Sequence, residues 1–207
     1  MLFRSGSQRW QPRAAPGKYT VRVTYNEKSY TQPFEIWRDV MMPSTEVDLQ
    51  ASTRLQRNLV GTINEVVDKI NRIEIMREQV EKLRDANKGN AQADTALAAI
   101  YKQMFDAELH FLSKTEMHSD DKWYVEKYKL YLNLVWMLGE VGGGASDVAG
   151  GVAYGPTSAS LNAFEDQLKL LDAAKVDFNK LMAAVDAFNK ANAGKITAIS
   201  DKLGGGK

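Results

Sequence analysis

The fold of this chain is decided by residues 59–80, which read LVGTINEVVDKINRIEIMREQV. Large apolar residues recur there every three, four or seven positions, the spacing of one stripe on an α-helix: Leu59, Ile63, Val66, Ile70, Ile73 and Val80. Upstream, Thr45 with Asp48 three residues later has the form of a capping box. Downstream, the Lys-Gly-Asn run at 88–90 ends the pattern. We therefore predict one long helix over residues 45–87, roughly 60 Å in length at the usual rise per residue.

Three further helices are predicted after it. The second covers residues 91–113 and places four apolar side chains on one face: Leu97, Ile100, Met104 and Phe111. The third covers residues 123–141 and directs these side chains inward: Val125, Tyr128, Leu132, Val135 and Leu138. After a glycine-rich connection at 142–155, the fourth begins at Pro156-Thr157-Ser158 and ends near residue 192, with Gly194 as its cap. Its stripe is Leu161, Phe164, Leu168, Leu171, Phe178, Leu181, Val185 and Phe188.

The first part of the chain predicts β-structure instead. Residues 18–25 alternate polar and apolar side chains, which is typical of a half-buried strand. The polar residues 26–28 suit a turn, and a second strand follows at 29–37. Because Pro33 cannot donate a ladder hydrogen bond, this strand is expected to lie at an edge or to be bulged. We predict a mainly-α fold, in which a β-hairpin module (1–43) precedes a long-helix, up-and-down four-helix bundle (44–207).

Composition excludes several classes of function. Lys+Arg 27 against Asp+Glu 26 leaves a formal net charge of +1, so no basic field predicts a nucleic-acid partner. The absence of cysteine removes disulfides, thiolate chemistry and Cys-ligated metals. No apolar run is long enough to predict a membrane span. Residues 1–18 carry Arg and Pro where a signal peptide needs an apolar stretch, so an exported form is expected to lack its signal in this chain.

Residues 14–23, AAPGKYTVRV, resemble the hairpin of one family of large secreted bacterial proteins. These are sortilin-type or BNR-repeat glycosyl-hydrolase-like β-propeller proteins, in which the hairpin closes an Ig-like module after the propeller. Two helix starts are also similar, at Ser44-Thr45-Glu46-Val47-Asp48-Leu49 after Arg38-Asp39-Val40, and at Gly155-Pro156-Thr157.

The resemblance covers nearly the whole chain, but only as the C-terminal tail of that family. It implies a partial Ig-like module and a periplasmic or extracellular setting. The propeller and its Asp-boxes are absent from the sequence, so the hydrolase activity is not carried over.

No catalytic residue, cofactor site or metal site is predicted. His110 and His118 each follow a glutamate by two positions, and on a helix such neighbours point in opposite directions and cannot share an ion. Asp120 and Asp121 precede the third helix, where adjacent acids are the usual partners of the helix dipole. A metal-binding or acid–base pair is the alternative reading of these carboxylates.

The third helix is unusually aromatic, which suggests a protein-binding face. Trp123, Tyr124 and Tyr131, together with Trp37, are the candidate partner-binding residues, and Tyr131 is expected to lie off the core stripe. The alternative is a well-filled core with the hairpin docked on the outer side of this helix.

These observations favour a non-catalytic structural or interaction module. We expect an accessory or stabilising subunit that docks to a larger extracytoplasmic protein assembly, with no small-molecule substrate. The hairpin would offer an open edge able to accept a strand. The alternatives are the C-terminal fragment of a secreted propeller hydrolase and a helical carrier of an apolar ligand.

Overall fold

The computed structural model describes residues 11–114, 126–143 and 154–202. Within these ranges two strands precede four helices, and their bounds are β1 Gly17–Tyr25, β2 Lys28–Ile36, α1 Glu46–Ala86, α2 Ala91–Glu108, α3 Leu130–Gly143 and α4 Ser158–Ala191. The predicted mainly-α fold with a hairpin before the helices is confirmed.

Local capping fixes the ends of the two longest helices. The capping box of α1 is formed: Asp48 N donates to Thr45 Oγ1 at 3.2 Å, and Thr45 N donates to Asp48 Oδ2 at 2.9 Å. In α4, the N-cap Thr157 accepts from Ser160 N at 3.1 Å. These starts lie where the sequence predicts them. The C-cap of α4 is Asn192 and not Gly194, which lies two residues further on with a φ of +73°.

Helices α2 and α3 both run opposite to α1 and lie one after the other along it. Ion pairs join Arg84 to Asp94 and Arg77 to Glu108, so α2 returns along the second half of α1. At the C-terminal end of α3, the carbonyl of Val141 accepts a hydrogen bond of 3.1 Å from Ser52 Oγ, which lies near the start of α1.

The helix lengths explain this arrangement. With 41 residues, α1 is roughly 60 Å long, whereas the 18 residues of α2 and 14 of α3 span roughly 27 Å and 21 Å. Neither short helix matches the length of α1, so α2 and α3 together cover it. Helix α4 runs in the same direction as α1, since Lys175 pairs with Glu65 and Phe178 lies under Arg72. Within the described residues the bundle therefore has three helices in cross-section, where simple up-and-down alternation predicted four.

Helix α2 ends earlier than predicted. The predicted second helix extends to residue 113, whereas α2 ends at Glu108. Phe111 and Leu112 are fully buried in the turn that follows. The carbonyl of Phe111 accepts a hydrogen bond from Tyr131 N at 3.1 Å, which joins this turn to the start of α3.

The core stripes of α3 and α4 differ from the predicted ones. Helix α3 begins at Leu130, not near 123. Of its predicted inward residues, Leu132 and Leu138 are buried and Val135 is partly buried, but Leu130 and Leu134, which were not predicted, also belong to the core. On α4 the predicted residues Leu161 and Leu168 are 44% and 37% exposed, and small Ala174 joins the core instead. The other core residues predicted on α4 that are fully buried are Phe164, Leu171, Phe178, Leu181 and Val185.

The hairpin is closed by a two-residue turn. Asn26 and Glu27 both have positive φ, 46° and 63°, as a type I′ hairpin turn requires. Lys28 belongs to β2 and pairs with Tyr25. The register runs without a bulge from there to Gly17 opposite Ile36. In a two-stranded sheet both strands are edges, so the edge position expected for the strand containing Pro33 is confirmed.

Candidate interaction surface

The two faces of the hairpin differ sharply in polarity. Directly opposed residues share a face, so the register sorts the side chains into two sets. One set is polar: Lys18, Thr20, Arg22, Thr24, Ser29, Thr31, Pro33 and Glu35. The other, here called the apolar hairpin face, is mostly apolar: besides Gly17, Gln32 and Lys28 it contains Tyr19, Val21, Val23, Tyr25, Tyr30, Phe34 and Ile36.

The apolar hairpin face is open to solvent over most of its length. Val23, Tyr25 and Tyr30 are 58%, 72% and 62% exposed. Only near the base is it partly covered, where the rings of Tyr19 and Phe34 stack with centroids 5.8 Å apart. Neither strand packs extensively on a described helix, so docking of the hairpin on the third helix is not observed. An amphipathic hairpin of this kind is marginal in water unless a second layer covers its apolar side.

The loop after β2 adds three large apolar side chains to this surface. Trp37, Val40 and Met41 are each at least 80% exposed. The loop is nevertheless well ordered by Arg38, whose Nη1 donates to the carbonyls of Asp39, Met42 and Ser44 at 3.3, 2.8 and 3.2 Å. We call residues 37–41 the apolar loop.

Sequence reasoning found Trp37 but missed Val40 and Met41. The signal was present, because Val-Met-Met at 40–42 is an apolar run between Asp39 and Pro43 that belongs to no periodic element.

Buried polar residues of α1 anchor the chain on the entry side of the hairpin. Arg13 N donates to Gln56 Oε1 at 2.8 Å, and Thr53 Oγ1 donates to the carbonyl of Arg13 at 3.0 Å. Gln56 Nε2 also donates to Ser52 Oγ at 3.0 Å. On the exit side, Ser44 is buried and is followed at once by the capping box of α1. The hairpin is therefore an arm held at both ends by the start of α1.

Two of the four predicted partner-binding residues, Trp37 and Tyr131, lie within the described part of the chain. Trp37 lies on the exposed surface described above. Tyr131 is half-buried and packs against the core, so its predicted position off the core stripe is wrong. The phase of α3 explains the difference, because Tyr131 follows the core residue Leu130. Trp123 and Tyr124 lie outside the described residues.

Of the four predicted polar residues, His110 alone lies within the described part of the chain. His110 Nε2 lies 3.3 Å from Asp177 Oδ2 on α4, and Asp177 also pairs with Lys180 at 2.9 Å. The hydrogen bond from Lys180 lowers the pKa of Asp177. His118, Asp120 and Asp121 lie outside the described residues. Within residues 11–114, 126–143 and 154–202, no three metal-ligating side chains come together.

One charged cluster is buried between α1 and α2. Glu108 is fully buried and pairs with Arg77, whose Nη2 donates to the hydroxyl of Tyr101 at 2.9 Å. That hydroxyl donates to Glu81 Oε1 at 2.8 Å. Burial raises the pKa of Glu108, and the nearby Arg77 offsets this only in part. With no solvent access to its carboxylate, Glu108 joins two helices and is not placed to act on a substrate.

Two shallow depressions of the described residues lie at turns. One is lined by residues of the hairpin turn, including Tyr25 and Tyr30, and the other by the α1–α2 turn around Gly89. Neither lies between the helices, where a carrier of an apolar ligand would need its pocket.

No protein-family model, curated protein or solved structure matches the chain, so the resemblance to the propeller family stays a prediction. Among the described helices, none is both long and apolar enough to cross a membrane.

Proposed function

We propose that this chain is a non-catalytic interaction module that docks to a larger protein assembly through the apolar hairpin face and the apolar loop. The observation that carries the proposal is the set of large apolar side chains exposed between Val21 and Met41. Exposed patches of this kind mark sites of protein association.

The energetics support docking. Fully burying one exposed large apolar side chain is worth roughly 1.5–3 kcal/mol. Val23, Tyr25, Tyr30, Trp37 and Met41 are all more than half exposed, so a partner that covers them has a substantial driving force. Tyr and Trp are also the residues most often found at the energetic centre of interfaces.

In this proposal the helices form the scaffold, and the hairpin arm binds the partner. The hydrogen bonds of Gln56 and Thr53 to Arg13 limit how the arm moves relative to the bundle. Holding a binding segment in place reduces the entropy lost on association. The proposed setting is periplasmic or extracellular, and the resemblance of residues 14–23 is its support. Asp-boxes upstream in the same reading frame would instead favour the tail of a propeller hydrolase.

The proposal is tested with the tagged full chain and an extract of the source cells. The variant Tyr25→Ser/Tyr30→Ser should lose the captured partner. A matched control, Leu170→Ser/Val176→Ser, removes exposed apolar side chains from α4 and should keep it. Hydrogen exchange on the purified complex should show protection of residues 17–41. Equal capture by both variants, or protection confined to the helices, would refute the proposal.

A further inference from the structure

We infer that the partner docks by adding a β-strand to the free edge of β1, and that this strand alternates apolar with acidic side chains. The inference rests on the proposed function, because it specifies how the partner occupies the surface assigned there.

The free edge of β1 is continuous. Tyr25 and Lys28 flank a two-residue turn and form a hydrogen-bonded pair, so pairs along the ladder alternate from there. The alternation directs the backbone N–H and C=O groups of four β1 residues away from β2: Lys18, Thr20, Arg22 and Thr24. No described residue donates to or accepts from these outward backbone groups. They form a template for one more strand.

The free edge of β2 is not equivalent. Its outward residues are Ser29, Thr31, Pro33 and Glu35, which are the ladder partners of the four on β1. Pro33 has no N–H, so the edge lacks a donor near its middle. Strand addition is therefore directed to β1.

A second copy of the chain fits this edge poorly. The outward residues of β1 are Lys18, Thr20, Arg22 and Thr24, so β1 of a second copy would bring two more cations and no acidic residue to this edge. Pairing of β1 with β2 of another copy would meet Pro33. The expected occupant is therefore a strand of a different sequence.

Charge specifies the side chains of that strand. Lys18 faces Glu35 across the hairpin, whereas Arg22 faces the neutral Thr31, so the polar face of β1 has an excess of positive charge. An added strand with acidic residues on this side would pair with both cations. Its alternate residues lie on the opposite side and would extend the apolar hairpin face, which favours apolar side chains there.

The experiment uses two labelled nine-residue peptides and the full chain. One peptide alternates valine with glutamate and the other alternates valine with lysine, and fluorescence anisotropy measures binding. We expect the glutamate peptide to bind at least about tenfold more tightly. Thr20→Pro should weaken its binding by at least about tenfold, because the substitution removes an outward donor. The matched change on the other edge, Thr31→Pro, should leave binding within about twofold.

A second variant keeps the test decisive if Thr20→Pro unfolds the hairpin. Arg22→Glu retains the backbone donor and should reverse the preference toward the lysine peptide. Equal binding of both peptides to the wild-type chain, or equal losses in Thr20→Pro and Thr31→Pro, would overturn the inference. So would a dimer of the chain alone that Thr20→Pro dissociates in sedimentation.

The two proposals fail in different ways. If Tyr25→Ser/Tyr30→Ser loses the cellular partner while folded Thr20→Pro keeps it, the partner covers the apolar face without adding a strand. That outcome overturns the inference and leaves the proposed function in place. If Tyr25→Ser/Tyr30→Ser keeps the partner, the proposed function itself fails.

Discussion

The orientation of α4 on the core can be tested by comparing Leu171→Ala with Leu168→Ala. Both leucines belong to the stripe predicted from the sequence, but Leu171 is 1% exposed and Leu168 is 37% exposed. Each substitution removes three carbon atoms, worth about 0.8 kcal/mol per carbon when fully buried. At Leu171 the packed neighbours also leave a cavity, so the expected total is about 2–5 kcal/mol. At Leu168 solvent fills the space, and the loss should be at most about 1.5 kcal/mol.

Guanidinium denaturation followed by circular dichroism measures both values, provided that the m-value is unchanged. Ile70→Ala serves as a reference, because Ile70 is fully buried on α1 and should also cost about 2–5 kcal/mol. If Leu168→Ala destabilises the chain as much as Leu171→Ala, then α4 is rotated relative to the orientation described here, and the reasoning from burial is refuted.

Two further predictions concern buried polar groups. Burial holds the pKa of Glu108 in the folded chain above its ordinary value. The contribution of Glu108 to the free energy of unfolding is therefore complete below the ordinary glutamate pKa, and it is lost as pH rises through the raised pKa of the folded state. Glu108→Gln should remove this decline of the denaturation midpoint as pH rises above the ordinary glutamate pKa, and an unchanged slope would contradict it. Gln56→Ala leaves Arg13 N without its acceptor and should cost about 1–3 kcal/mol in denaturation, with faster amide exchange at Arg13. Unchanged exchange there would argue against the anchor.

The parts of the fold that the sequence predicts correctly depend on local interactions. The capping box of Thr45 and Asp48 sets the start of α1, and Thr157 sets the start of α4. Each signal acts within one helical turn and needs no distant partner. The hairpin is predictable for the same reason, since alternation and a polar break specify two strands and a turn.

The candidate interaction surface was only partly predictable. Alternation identifies which β1 residues share a face, but not whether another layer covers that face. The exposure of Tyr25 and Tyr30 is a property of the hairpin's position relative to the helices. Residue type also misplaced Tyr131, because an aromatic side chain fills a core as readily as it binds a partner.

For the described residues, the sequence by itself determined the order of the hairpin and the four helices and the helix ends set by caps, because these depend on residues only a few positions apart. Only the tertiary structure decided that α2 and α3 lie one after the other along α1, and that Leu168 faces solvent while Ala174 faces the core. The apolar stripe of a helix is wider than the contact it makes. Which side chains of the stripe are buried therefore depends on where neighbouring helices lie, and residues far apart in the sequence set those positions.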